Sequence, residues 1–161
     1  MPDLSLAQAF DTLRRGSRVY VHGGAATPTA LLQTLTDYVR QRPGLGEIET
    51  VSLHLEGPAP HVAPDLAGRI RHNALFIGAN VRKAVQEGRA DFTPVFLSDI
   101  PSLFRDGPLT LDMALIQVAP PDAHGNCSLG VSVDVARTAA ESAQCVVALV
   151  NSRMPRTLGE S

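Results

Sequence analysis

Residues 113–119 and 145–150 read Met-Ala-Leu-Ile-Gln-Val-Ala and Cys-Val-Val-Ala-Leu-Val, apolar at nearly every position rather than at every second one. An extended chain points successive side chains to opposite faces, so strands of this composition must be covered on both sides. Val19-Tyr20-Val21 is a shorter apolar run. Between such runs lie amphipathic stretches: Leu31, Leu35 and Val39 share one helical face, with Leu32 and Tyr38 beside them. Apolar strands alternating with these helices predict an α/β fold, an open, mainly parallel sheet with helices on both faces. A chain of 161 residues fits one domain over 1–161, large enough to bury roughly two-thirds of its unfolded surface.

Local signals place the remaining elements. Ser5-Leu6-Ala7-Gln8 matches a capping box and opens a short helix to about Leu13. The strand at 19–21 runs into Gly23-Gly24-Ala25-Ala26, after which Thr27 is expected to cap a helix starting at Pro28 and stopped by Pro43-Gly44. A second strand is expected at 51–55, breaking at Glu56-Gly57-Pro58, with a proline-rich loop from 57 to 64. A third is expected at 74–77, followed by a helix capped by Asn80 and closed by Gly88. Residues 92–97 read as a short strand or turn and 101–104 as a helical turn. After the strand at 113–119 comes a loop from 120 to 130, then an Ala-rich helix starting at Ser132 or Asp134 and ending near Ala143.

Composition excludes several function classes. A formal net charge of -2 gives nucleic acid or an anionic membrane no electrostatic hold. Aromatics are 4% of residues with no Trp, too few for a base-stacking platform. Two cysteines make no secreted disulfide framework. The N-terminus lacks the charged leader and apolar run of a signal peptide, and no apolar stretch reaches the roughly 20 residues of a membrane span. A cytoplasmic protein is expected.

Residues that could carry chemistry sort by context. A strand turning through Gly23-Gly24 into a helix is either a tight βα connection or a carboxylate or phosphate site built from backbone N–H groups. Its spacing matches neither a dinucleotide fingerprint nor a phosphate-binding loop. Ser128-Leu129-Gly130 resembles half of a nucleophile elbow, but Asn126 stands at the first glycine position and no histidine follows. An unrelated serine hydrolase is therefore disfavoured. Cys127 and His124 lack a third group to orient them, and Cys145 reads as core. The five histidines, His22, His54, His61, His72 and His124, show no metal-ligand spacing, so no metal is expected. Glu56, at a strand end beside Gly57, faces either solvent or a ligand crevice.

Taken in order, several segments resemble the acetyl-CoA hydrolase/transferase family, which includes 4-hydroxybutyrate CoA-transferases. They are Gly23-Gly24-Ala25-Ala26-Thr27-Pro28, Phe76-Ile77-Gly78 leading to Arg82 and Gly88, residues 91–94, and Leu97-Ser98-Asp99-Ile100-Pro101. Asp112-Met113-Ala114-Leu115-Ile116, the run from Pro120 to Gly130, and Asn151-Ser152-Arg153-Met154-Pro155-Arg156-Thr157-Leu158-Gly159 complete the set. The resemblance extends from about Gly16 to Ser161 and implies the N-terminal half of a two-domain CoA-transferase with its active site between the domains.

The resemblance also implies the chemistry. Family members move CoA between small carboxylic acids through a glutamyl-CoA thioester, or let water take the acyl group. The glutamate and the glycine-rich oxyanion segment belong to the second half. None of Glu47, Glu49, Glu56, Glu87, Glu141 or Glu160 stands in the matching context, so no catalytic residue is carried over. This half is expected to form one wall of the acyl pocket from strand ends: Gly23 and Gly24, Glu56 and Gly57, Gly78 and Asn80. Expected ligands are coenzyme A as acyl-CoA and a small carboxylate. The expected partner is a C-terminal CoA-transferase domain or a second copy of the chain. A free-standing, non-catalytic acyl- or CoA-binding module is the alternative.

Overall fold

The computed structural model describes residues 6–158. Its elements, in chain order, are α1 (Leu6–Phe10), β1 (Arg18–Val21), α2 (Thr29–Gln41), β2 (Ile48–Ser52), β3 (Ile70–Ala74), α3 (Ala79–Gln86), β4 (Ala90–Phe92), α4 (Ile100–Arg105), β5 (Met113–Val118), α5 (Ala136–Ser142) and β6 (Cys145–Val150). The strands form a six-stranded sheet in the order β4-β3-β2-β1-β5-β6. Every pairing is parallel. From β1 the chain first steps outward through β2, β3 and β4, then returns to the other side of β1 for β5 and β6. That reversal leaves a switch point between β1 and β5, the place where open parallel sheets leave a crevice beyond their carboxyl ends.

Two layers cover the sheet. On one face Phe10, Leu31, Leu35 and Val39 pack with Val19, Ile48, Ile70, Met113 and Leu115. On the other, Ile100, Phe104, Ala136 and Ala139 pack with Tyr20, Val51, Ala114, Ile116 and Val118. The odd residues of β5 thus serve one core and the even residues the other, which is why the run is apolar throughout. The expected α/β sheet with helices on both faces is the observed fold.

Several expected boundaries move, each for a local reason. β2 lies at Ile48–Ser52 and β3 at Ile70–Ala74, earlier than the expected 51–55 and 74–77. β3 reads Ile-Arg-His-Asn-Ala, and its polar side chains are satisfied across strands. His72 Nδ1 meets Thr50 Oγ1 at 3.0 Å, and Asn73 Nδ2 donates to Glu49 Oε1 at 3.0 Å. The region 92–97 resolves into the end of β4 and a 3-10 turn at Leu97–Asp99 that leads into α4. α1 stops at Phe10 rather than Leu13, and Ser5 of the capping box lies outside the described residues.

Three caps also differ. Thr27 does not cap α2, whose first residue is Thr29 and whose N-cap is Pro28. Asn80 sits inside α3, with Gly78 as N-cap. Asp134 precedes α5 and takes the N–H groups of Val135 and Ala136. Finally, β6 is an edge strand with Val146, Ala148 and Val150 exposed, and Cys145 is half-buried rather than core.

Candidate functional site at the strand carboxyl ends

The first wall of the site is the β1 exit. Gly24 donates its N–H to the His54 carbonyl at 2.7 Å and forms a parallel bridge with Leu55. A Cβ on Gly23 would lie 2.6 Å from the His54 carbonyl oxygen. One on Gly24, whose φ is +56°, would lie 2.3 Å from Ser132 Oγ. Both positions need glycine, because the turn is wedged between the segment after β2 and the loop before α5. Its donors are occupied: Ala26 N–H goes to Gly23 O at 3.2 Å and Thr27 N–H to Gly24 O at 3.1 Å. The N–H groups of Gly24, Ala26 and Thr27 are therefore used within the fold, and the turn contributes close approach rather than those donors.

Thr27 ties the first wall to the second. Its hydroxyl donates to Gly24 O at 2.8 Å and accepts the Glu56 N–H at 3.0 Å. The third wall, the start of α3, is tied to the second by Asn80, whose Nδ2 donates to Leu55 O and Gly57 O, both at 3.0 Å. Asn80 is thus a strut between α3 and the β2 exit, the role that displaces it from capping. Gly23, Gly24, Glu56, Gly57, Gly78 and Asn80 are brought together at one end of the sheet.

At their centre stands His54, which sequence reasoning passed over because it looked only for metal spacing. Its Nε2 lies 3.0 Å from Glu56 Oε1, and its ring meets Phe76 edge-on with centroids 5.4 Å apart. The available signal was the His-x-Glu spacing at a strand exit, which puts both side chains on one side of an extended chain. Alongside opens a cavity of about 590 Å³ lined by Leu53, His54, Leu75, Phe76, Val95, Phe96 and Leu97. Its wall is apolar except for the imidazole.

Beneath the β1 turn lies a buried polar group at the switch point. His22 Nδ1 accepts the Gln117 N–H at 3.3 Å, which leaves the ring hydrogen on Nε2 to donate to Ser132 O. Burial lowers the pKa of this imidazole. Tyr20 donates its hydroxyl to Asp134 Oδ1 at 3.3 Å, and burial together with that carboxylate raises the phenol well above its ordinary range. Asp134 holds φ at 32°, the one positive-φ non-glycine among the described residues. These groups brace the loop that carries Ser132 against Gly24.

Ser128 has a structural role. The residue is buried, shares a 2.7 Å hydrogen bond with Thr157 Oγ1 and accepts the N–H groups of Gly130 at 3.0 Å and Thr157 at 3.2 Å. It is a joint between the 120–130 loop and the last described segment, not an exposed nucleophile. Among the described residues no three His, Cys, Asp or Glu side chains are grouped to hold a metal ion.

The model for the acetyl-CoA hydrolase/transferase N-terminal domain matches residues 4–161. A succinyl-CoA:acetate/propanoyl-CoA:succinate CoA transferase of Fasciola hepatica is 50% identical over 96% of this chain and 32% of its own length. A 4-hydroxybutyrate coenzyme A transferase of Clostridium kluyveri is 42% identical over 96% of this chain and 35% of its own. The solved 4-hydroxybutyrate CoA-transferase of Porphyromonas gingivalis superimposes with a TM-score of 0.75 at 34% identity, covering 98% of this chain and 35% of that one. RipA of Yersinia pestis gives a TM-score of 0.83 at 26% identity, covering 98% and 38%. The chain thus spans about a third of the length of these relatives.

Proposed function

Because the chain belongs to the acetyl-CoA hydrolase/transferase family, as its N-terminal domain, we propose that it supplies one wall of a cleft in which CoA moves between small carboxylic acids. In this reading the reacting carboxyl group is a glutamate of a second domain. It forms a glutamyl-CoA thioester, so one hard exchange becomes two easier ones with ping-pong kinetics. The observation that carries the reading is the convergence of Gly23, Gly24, Glu56, Gly57, Gly78 and Asn80 around His54, beside an apolar cavity at the strand carboxyl ends. Acyl-CoA and a small carboxylate are the ligands, and the partner is a C-terminal CoA-transferase domain. No helix of the described residues is long and apolar enough to cross a membrane, and a cytoplasmic location belongs to the same reading.

The test is a transfer assay with acetyl-CoA and a carboxylate acceptor, run on this chain alone and on the chain joined to a C-terminal domain of the family. Transfer is expected only in the joined protein, with the CoA adduct trapped on a glutamate of the second domain. An adduct on any glutamate of residues 1–161 would overturn the assignment. A non-catalytic acyl-binding module is the second reading, favoured by the fact that the cavity is formed by this chain's own residues. Tight acyl-CoA binding by the short chain, with no gain in transfer on joining, would select it.

A further inference from the structure

Glu56 poses a difficulty for a cleft meant to take carboxylates, since a bare carboxylate at its mouth repels them. The surrounding hydrogen bonds resolve it. Asn80 cannot be turned over, because both of its Nδ2 bonds go to carbonyls, those of Leu55 and Gly57. Its Oδ1 is therefore an acceptor, and it is buried without a hydrogen-bond partner. His54 Nδ1 is likewise buried and unpaired. The two atoms converge over Gly78: a Cβ there would lie 3.1 Å from Asn80 Oδ1 and 3.3 Å from His54 Nδ1. If the ring hydrogen sat on Nε2 alone, two buried acceptors would sit beside Gly78 with no donor between them. A hydrogen on Nδ1 supplies that donor, whereas leaving both unpaired is costly.

With Nδ1 donating to Asn80, Nε2 and Glu56 Oε1, 3.0 Å apart, have one proton between them whichever side carries it. We propose that His54 is a positioning residue that donates through Nδ1 to Asn80 and shares a proton with Glu56 through Nε2. The pair is thereby net neutral and does not repel a substrate carboxylate at the edge of the apolar cavity. The inference rests on the cleft reading above. Other charged groups leave the pair in place. Asp134 is engaged by the Tyr20 hydroxyl and by the N–H groups of Val135 and Ala136. Lys83 of α3 pairs with Glu87 at 3.8 Å. Buried His22 is committed to Ser132 and Gln117.

Two measurements on the 161-residue chain test the proposal and separate its failure from that of the cleft reading. Nitrogen-15 NMR of the His54 ring near neutral pH should show a hydrogen on Nδ1, lost in Asn80→Ala. A ring protonated on Nε2 alone would overturn the proposal with no ligand needed. Butyrate titrations near neutral pH should then give the native chain and Glu56→Gln affinities within about twofold, since neither presents a net charge. A Glu56→Gln chain that binds butyrate about fivefold or more tightly would show a bare carboxylate and overturn the proton's role. If the ring carries its Nδ1 hydrogen and neither protein binds butyrate, the proton placement stands and the carboxylate role is overturned.

Discussion

Gly24 is the residue at which the candidate site is most exposed to a single change. Its φ of +56° is unfavourable for any side chain, and most of all for a β-branched one. The Cβ would also press on Ser132 Oγ. Gly24→Val should therefore destabilise the fold by about 2–4 kcal/mol in urea titrations and abolish binding of acetate or a small hydroxy acid. Undiminished binding would remove this turn from the site. The two causes separate: Ser132→Gly should recover part of the loss in Gly24→Ala by relieving the contact, while the backbone cost remains. If it recovers nothing, Ser132 is not what the side chain meets. That the site's glycines and Glu56 meet at one end of the sheet was legible from strand-end reasoning, since all stand at strand exits. Their roles were not. Thr27 and Asn80 owe their partners Glu56 and Leu55 to segments 29 and 25 residues away in the chain, and no local pattern encodes such pairings.

At the scale of elements, β3 shows why a strand can escape a hydrophobic reading. Its His72 is fully buried, hydrogen-bonded to Thr50, and stacked edge-on to His61 with centroids 4.7 Å apart. His61, in the turn Pro60–Val62, is also buried, and neither of its ring nitrogens has a partner. Burial lowers the His72 pKa to about 4 and pushes His61 well below its ordinary value. Both rings are neutral when folded and gain protons more readily when unfolded. Their stabilising effect is therefore complete above the unfolded value near 6.5 and is lost as pH falls from there toward about 4. For His72 the difference amounts to on the order of 3 kcal/mol. Urea titrations between pH 7 and pH 4 should show this decline before the exposed pairs of Asp65 with Arg40 and Asp91 with Arg71 begin to lose their carboxylates at lower pH. His61→Leu exchanges two unpaired polar atoms for apolar surface and should leave stability at pH 7 unchanged or raise it by about 1 kcal/mol. It should also flatten the acid decline. A variant as acid-sensitive as the native chain would show that His61 is not part of the cause.

For the molecule as a whole, the parallel order and two-sided packing could be read from β1, β5 and the face of α2, where burial and periodicity agree. What sequence left open is where the surface remains uncovered, because an apolar residue reads alike in a core and at an interface. Phe76, Phe92, Phe96 and Leu97 are 56%, 45%, 80% and 57% exposed, and Phe76, Phe96 and Leu97 line the cavity beside His54. Contiguous apolar surface of this kind marks an interaction site. The relatives carry about two-thirds of their length beyond the region matched here, and we take the C-terminal domain, rather than a second copy, to cover it. The short chain should then bind an apolar dye and self-associate, and joining the C-terminal domain should suppress both. Phe96→Ser separates this from general instability. A side chain so exposed should cost less than about 0.5 kcal/mol in the short chain, while dye binding and self-association fall. In the joined protein the same substitution should loosen the domains, seen as faster proteolysis between them and a higher KM for the carboxylate. If Phe96→Ser leaves the joined protein unchanged, the second domain packs elsewhere and the apolar rim serves the cavity alone.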